Sequence, residues 1–178
     1  MARMLKEVIA LLNRLIQLDY DAIEAHKSAI SRLSDPADRA QLGAFVVDHR
    51  RHVDELAFIV RNLGGEPASY GDLRHAIGRG KVVLGGLLGS RAPALVGSRS
   101  PSTASDRAVL EAMRGNEAES GPHYESAASQ PGIPVDILAV LERTCADERR
   151  HQAWFASRLD RSDAWSRGTG PNDPPRDQ

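Results

Sequence analysis

Aromatic residues are scarce in this chain, at 4% of 178 residues, and there is a single cysteine, Cys145. Few aromatics argue against a β-sandwich and for a helical protein packed with Ala, Leu and Val. One cysteine excludes an internal disulfide and fits a reducing compartment, so a cytoplasmic location is expected. No apolar run is long enough to span a bilayer. Met1 to Leu12 lacks a small-residue cleavage site and carries Glu7 inside its apolar stretch, so it reads as the start of a helix and not as a signal peptide. The formal net charge of −1 provides no global field to recruit nucleic acid or an anionic membrane. Catalytic triads, phosphate loops and zinc-finger spacings are absent.

What is present is 41% hydrophobic residues, enough for one core, arranged with helical period. The first segment runs from about Leu5 to Leu33, with Leu5, Ile9, Leu12, Ile16, Ile23, Ile30 and Leu33 on one stripe. Asp35 and Pro36 then form an N-cap and first helical residue, and the second segment continues to about Leu63, where Gly64-Gly65 stops it. An irregular connection follows over 64–104, with a short helix at Asp72–Arg79, an apolar glycine-rich stretch at Lys81–Gly89 and a flexible Ser90–Ser105. The third segment starts near Ser105 as N-cap and carries Val109, Leu110 and Met113 inward; Gly121-Pro122 predicts a kink or break in it. The fourth runs from Val135 to about Leu159, with Leu138, Leu141, Cys145, Phe155 and Leu159 inward. These segments define an all-α domain over 1–160, an antiparallel four-helix bundle with its long connection between helices two and three. The polar, Gly- and Pro-containing tail 161–178 reads as disordered.

The apolar stripes are interrupted at one level. Helix one carries Asp19 and His26 on its stripe, helix two His49 and His52, helix three Glu117 and Tyr124, and helix four Glu148 and His151. The halves also repeat: Asp48-His49-Arg50-Arg51-His52 returns ninety-nine residues later as Asp147-Glu148-Arg149-Arg150-His151, and Asp19 and His26 match Glu117 and Tyr124 at a nearly equal offset. Asp21, Glu24, Asp54 and Glu119 fall off the stripes and read as solvent-facing; Asp48 and Asp147 read as partners of the nearby arginines.

A buried carboxylate must neutralise, pair or bind a cation. Three carboxylates and several imidazoles at one level can share divalent ions, and Glu148-x-x-His151 presents two ligands on one helix face. Mixed oxygen and nitrogen ligands suit iron, manganese or zinc better than copper. The competing explanation is a metal-free, salt-bridged layer, pairing for instance His52 with Glu117 and His151 with Asp19.

The stretches LDYDAIEAH, DHRRHVDEL, GKVVLGGLLG, NEAESGPHY and DERRHQAW resemble the ferritin-like superfamily, in a branch of small bacterial four-helix bundles of unassigned function. The resemblance covers about Leu5 to Leu159. It implies that Asp19 and Glu117 are single carboxylate ligands, that Glu148 and His151 form one Glu-x-x-His pair, and that His52 is the imidazole of the other. His49 stands where the family has a bridging glutamate, and helix one offers Asp in place of Glu. The expected metal set is therefore Asp19, His49, His52, Glu117, Glu148 and His151, with His26, Tyr124, Asp48 and Asp147 around it. One or two ions of iron or manganese, with zinc less suited, are the expected cofactors. Oxygen, peroxide or metal-handling chemistry is what the resemblance implies. The expected partners are the metal ion and, as a homodimer, a second copy. The alternative is a metal-free structural or protein-interaction module, a stress-related role included.

Overall fold

The computed structural model describes the backbone of residues 2–70 and 101–166 and the side chains of 2–70 and 106–161. Four helices account for these residues: α1 Ala2–Arg32, α2 Pro36–Asn62, α3 Pro101–Ala128 and α4 Val135–Ser166. The segments expected at Asp72–Arg79 and Lys81–Gly89, most of Ser90–Ser105 and the last twelve residues of the tail lie outside the described residues.

The helix ends follow local chemistry. Asp35 caps α2, its carboxylate accepting from the Ala37 amide at 2.8 Å, and Pro36 occupies the first turn where no amide donor is needed. Gly64 closes the helix at φ 76°, a left-handed conformation that favours glycine.

α1 packs against α2 and α3, and α4 packs against the same two. Contacts between neighbours run in opposite senses: Ser34 meets Asp106 while Asp19 meets Tyr124, and Asp38 meets Arg158 while Glu55 meets Arg143. All four neighbouring pairs are therefore antiparallel. α2 finishes beside the start of α1, where Asn13 holds Glu66 and Ala68, whereas α3 begins beside the end of α1. The long connection thus joins opposite ends of the bundle. No described helix is long and apolar enough to cross a membrane.

Apolar residues form two clusters, one around Leu12, Ile16, Leu56, Val60 and Leu141, the other around Leu42, Phe45, Met113, Phe155 and Leu159. The polar residues of the stripes occupy the level between them. Five expectations need correction. Leu5 is 39% exposed, because it lies in the first turns of α1 at the open end of the bundle. Ile137 takes the inward place expected for Leu138, which is half-buried. α4 continues past Leu159 to Ser166. α3 begins at Pro101, so Ser105 is not its cap, and it runs through Pro122 unbroken.

The donor that Pro122 lacks would have served the Ala118 carbonyl, which stands on an exposed residue where solvent can serve it. One residue upstream, the Glu117 carbonyl accepts from Gln152 Nε2 of α4 at 2.9 Å and from Ser120 Oγ at 3.2 Å. A Cβ on Gly121 would lie 2.7 Å from that Gln152 nitrogen, so the glycine lets α4 reach the turn.

A further tie joins residues distant in the chain. Asp106, 6% exposed, accepts from the Ser34 amide at 2.9 and 3.0 Å, the Ser34 hydroxyl at 2.6 Å and the Asp35 amide at 3.1 Å. It pins α3 to the α1–α2 turn. Asp106→Ala should lower unfolding stability by about 2 kcal/mol, the range for hydrogen bonds to a charged group, in urea denaturation with an unchanged m value. A loss below a few tenths would show the tie to be incidental.

Candidate metal centre

Asp19, His49, His52, Glu117, Glu148 and His151 are each at most 1% exposed. They form two overlapping groups. Asp19, His49, His52 and Glu148 make one; His49, Glu117, Glu148 and His151 make the other. Within each, one ligand atom per residue lies within 4.8 Å of all the rest. Every helix contributes, and His49 and Glu148 belong to both groups.

The outer imidazole nitrogens are fixed from the bundle surface. His52 Nε2 donates to Asp147 at 3.1 Å, and His151 Nε2 donates to Asp48 at 3.1 Å. Each aspartate crosses from the opposite helix, as a duplicated hairpin would place it. Arg51 and Arg150 bind both aspartates, with Arg150 reaching Asp48 at 2.6 Å and Arg51 reaching it at 3.2 Å. Burial opposes ionisation of Asp48 and Asp147, but the imidazoles and Arg150 outweigh it and hold both carboxyls below their ordinary value.

With Nε2 committed outward as a donor, each ring turns Nδ1 inward; burial opposes a proton on His52, but Asp19 and Asp147 raise its affinity for one. His52 Nδ1 faces Asp19 Oδ1 at 3.4 Å, and His151 Nδ1 faces Glu117 Oε2 at 3.5 Å. These pairings are the reverse of those expected for a salt-bridged layer: antiparallel packing sets His52 beside α1 and His151 beside α3. Neither Nδ1 makes a hydrogen bond, nor do His49 Nε2, both Glu117 oxygens or Glu148 Oε1, all buried.

Two further groups repeat the symmetry. Tyr124 donates its hydroxyl to Asp19, and His26 Nε2 approaches Glu117 Oε1 at 2.9 Å. Burial and the Asp19 charge push the Tyr124 phenol well above its ordinary value, and burial outweighs Glu117 in lowering His26. His49 sits between the halves, with Nδ1 3.0 Å from Asp19 and 3.7 Å from Glu148, and Nε2 3.8 Å from Glu117. Burial lowers its affinity for a proton, yet Asp19, Glu117 and Glu148 raise it to about 10. Burial likewise opposes charge on Asp19 and Glu117, but the surrounding histidines hold both ionised. Glu148 is raised by burial and by the neighbouring carboxylates, against the pull of His49; Ser120 donates to its Oε2 at 2.8 Å.

Outside this layer, Cys145 is a buried core residue, and Asp54 and Glu119 are exposed. Asp21 is not the solvent-facing charge expected: it is half-buried with an unpaired oxygen, and burial raises it to about 6.

The family described as Domain of unknown function (DUF2383) matches residues 7–130, and the chain belongs to it. No curated protein matches the sequence. Among solved structures, a two-domain protein from Anabaena variabilis, containing DJ-1/ThiJ/PfpI-like and ferritin-like domains, superposes with a TM-score of 0.64 at 13% identity. It matches 98% of this chain, which spans 40% of that protein's length. A dodecameric thioferritin, the bacterioferritin-related protein of Bacteroides fragilis, superposes with a TM-score of 0.69 at 13% identity over 94% of this chain and 92% of its own. The fold is ferritin-like.

Proposed function

We propose that this member of the DUF2383 family is a ferritin-like metal-binding protein whose mid-bundle layer holds iron or manganese. One observation supports this most strongly: His52 and His151 set Nδ1 against carboxylate oxygens at 3.4 and 3.5 Å, among buried ligand atoms that lack hydrogen bonds. Such contacts are repulsive unless a proton or a cation lies between them. A divalent ion satisfies several at once, and the outer hydrogen bonds to Asp147 and Asp48 are the carboxylate–histidine supports that orient imidazole ligands.

In this reading Glu117, Glu148 and His151 form the firmest set, with His49 beside them; Asp19 and His52 offer a second, weaker position. When bound, the ion supplies redox and Lewis-acid capacity for oxygen, peroxide or metal-handling chemistry. The chain's own groups set its surroundings. His49, as an imidazole, adds no negative charge, so two highly charged ions are poorly neutralised. Tyr124 holds Asp19 by a hydroxyl hydrogen bond, and His26 buttresses Glu117. A cytoplasmic, self-associating protein completes the proposal: the thioferritin neighbour is dodecameric, and α2 exposes Val47 and Phe58 at 61% and 62%.

A second reading has its own support. A protonated His49 between Asp19 and Glu117 balances charge without metal and leaves a structural layer. Melting the chelator-stripped protein with and without anaerobic Fe(II) or Mn(II) separates the two. A resident ion at ~100 times its Kd stabilises by about 2.7 kcal/mol, which raises the melting temperature visibly. A melting curve indifferent to both ions supports the structural layer.

A further inference from the structure

The ligand residues are enclosed, so an ion must pass a wall of the bundle. α2 and α4 make the sparsest contact of the four neighbouring pairs. In their seam lies a groove of about 320 Å³ lined by Arg51, His52, Glu55, Arg143, Thr144, Ala146 and Asp147. Its inner wall is the His52–Asp147 hydrogen bond. Asp147, with a side chain 13% exposed, touches both His52 and the groove. Thr144 lines it as well, 1% exposed, with a buried hydroxyl that lacks a partner.

The internal repeat shows that this opening is specific to one side. At the ninety-nine-residue offset, Thr144 corresponds to Phe45, and Glu55 corresponds to Trp154. Phe45 covers His151 at a tilt of 33° with ring centroids 3.9 Å apart, and Trp154 stands edge-on to Phe45 at 5.6 Å. The aromatics plug the position over His151, whereas the equivalent position over His52 carries a hydroxyl and a carboxylate and stays open.

Resting on the metal-binding reading above, we propose that this α2–α4 groove is the port through which divalent cations reach the centre. Arg143 sits on Glu55 at 3.2 Å, and Arg51 sits on Asp147, which Arg150 also holds; the Arg143 and Arg51 side chains are 59% and 46% exposed. These guanidinium groups occupy cation positions on the port's carboxylates. An arriving divalent ion takes the places of Arg143 and Arg51, whose two charges it matches, and finds oxygen donors at Glu55, Thr144 and Asp147 before His52.

Anaerobic stopped-flow loading of the chelator-stripped full chain with Mn(II) tests this, read with the final metal content. Ala146→Trp, which fills the groove with a residue outside the ligand set, should slow loading roughly tenfold or more while leaving the final content unchanged. Ala153→Trp, equal in bulk and exposed two turns along α4, should load at the wild-type rate. Glu55→Gln should slow loading to a lesser degree. Equal rates for Ala146→Trp and wild type, at equal final content, overturn the port. Absence of metal from wild type at equilibrium overturns the metal-binding reading instead.

Discussion

Glu148→Ala should reduce bound metal to background at both positions. Its carboxylate belongs to both ligand groups, so no other single substitution at a carboxylate removes a donor from each. Losing an outer support of a metal ligand typically weakens binding 10–100-fold; losing a shared ligand should exceed ~100-fold. The variant should still fold, because Glu148 is a buried acid already raised by its surroundings, and its removal relieves that burial. Glu148→Gln, which keeps the volume and the approach of Ser120, separates charge from packing: it should fold as wild type and lose metal like the alanine variant. Glu24→Ala, which removes a partner of Lys27 on the surface, should keep its metal. Elemental analysis after gel filtration reads all four proteins. Equal metal in all of them would remove Glu148 from the site.

His49→Glu should have two opposite consequences of comparable size. Without metal, Asp19 and Glu117 lose the imidazole they share, and four buried carboxylates face one another. Breaking a buried ion pair costs roughly 3–5 kcal/mol, so the stripped variant should melt far below wild type. With metal, the new carboxylate can bridge where an imidazole cannot, and the stoichiometry should rise from one firmly held ion toward two. Calorimetric titration with Fe(II) and Mn(II) under anaerobic conditions, beside melting curves of both forms, reads the two effects together. If wild type already holds two ions tightly and His49→Glu changes neither stoichiometry nor stability, His49 lies outside the ligand set.

The bundle was legible in the sequence because its stripes keep helical period and its turns carry strong punctuation: Asp35-Pro36 and Gly64-Gly65 end and start helices where the structure does. The layer was legible for the same reason, since a stripe that passes from Ile16 through Asp19 to Ile23 must bury a carboxylate. Long-range partnerships were not legible. Pro122 predicts a break by local chemistry, but the carbonyl it leaves without a donor belongs to Ala118, whose exposure only the packed bundle reveals. Asp106 carries no signal in the sequence, because its partner Ser34 lies seventy-two residues away and only packing brings the two together. The partners of His52 and His151 are the reverse of those expected for a salt-bridged layer, because spacing along a helix gives the level of a side chain but not which neighbour stands beside it. The repeat itself held the clue to the groove: Phe45 against Thr144, and Trp154 against Glu55, mark where the halves diverged.

The most direct test is a crystal of the wild-type chain grown with Mn(II) or Fe(II), with anomalous differences collected at the metal edge. A peak is expected inside the layer between the two apolar clusters, liganded by Glu117, Glu148 and Nδ1 of His151, with Nε2 of that histidine still on Asp48. A layer without a peak, or a peak confined to surface carboxylates such as Glu55 or Asp54, would contradict the metal-binding reading.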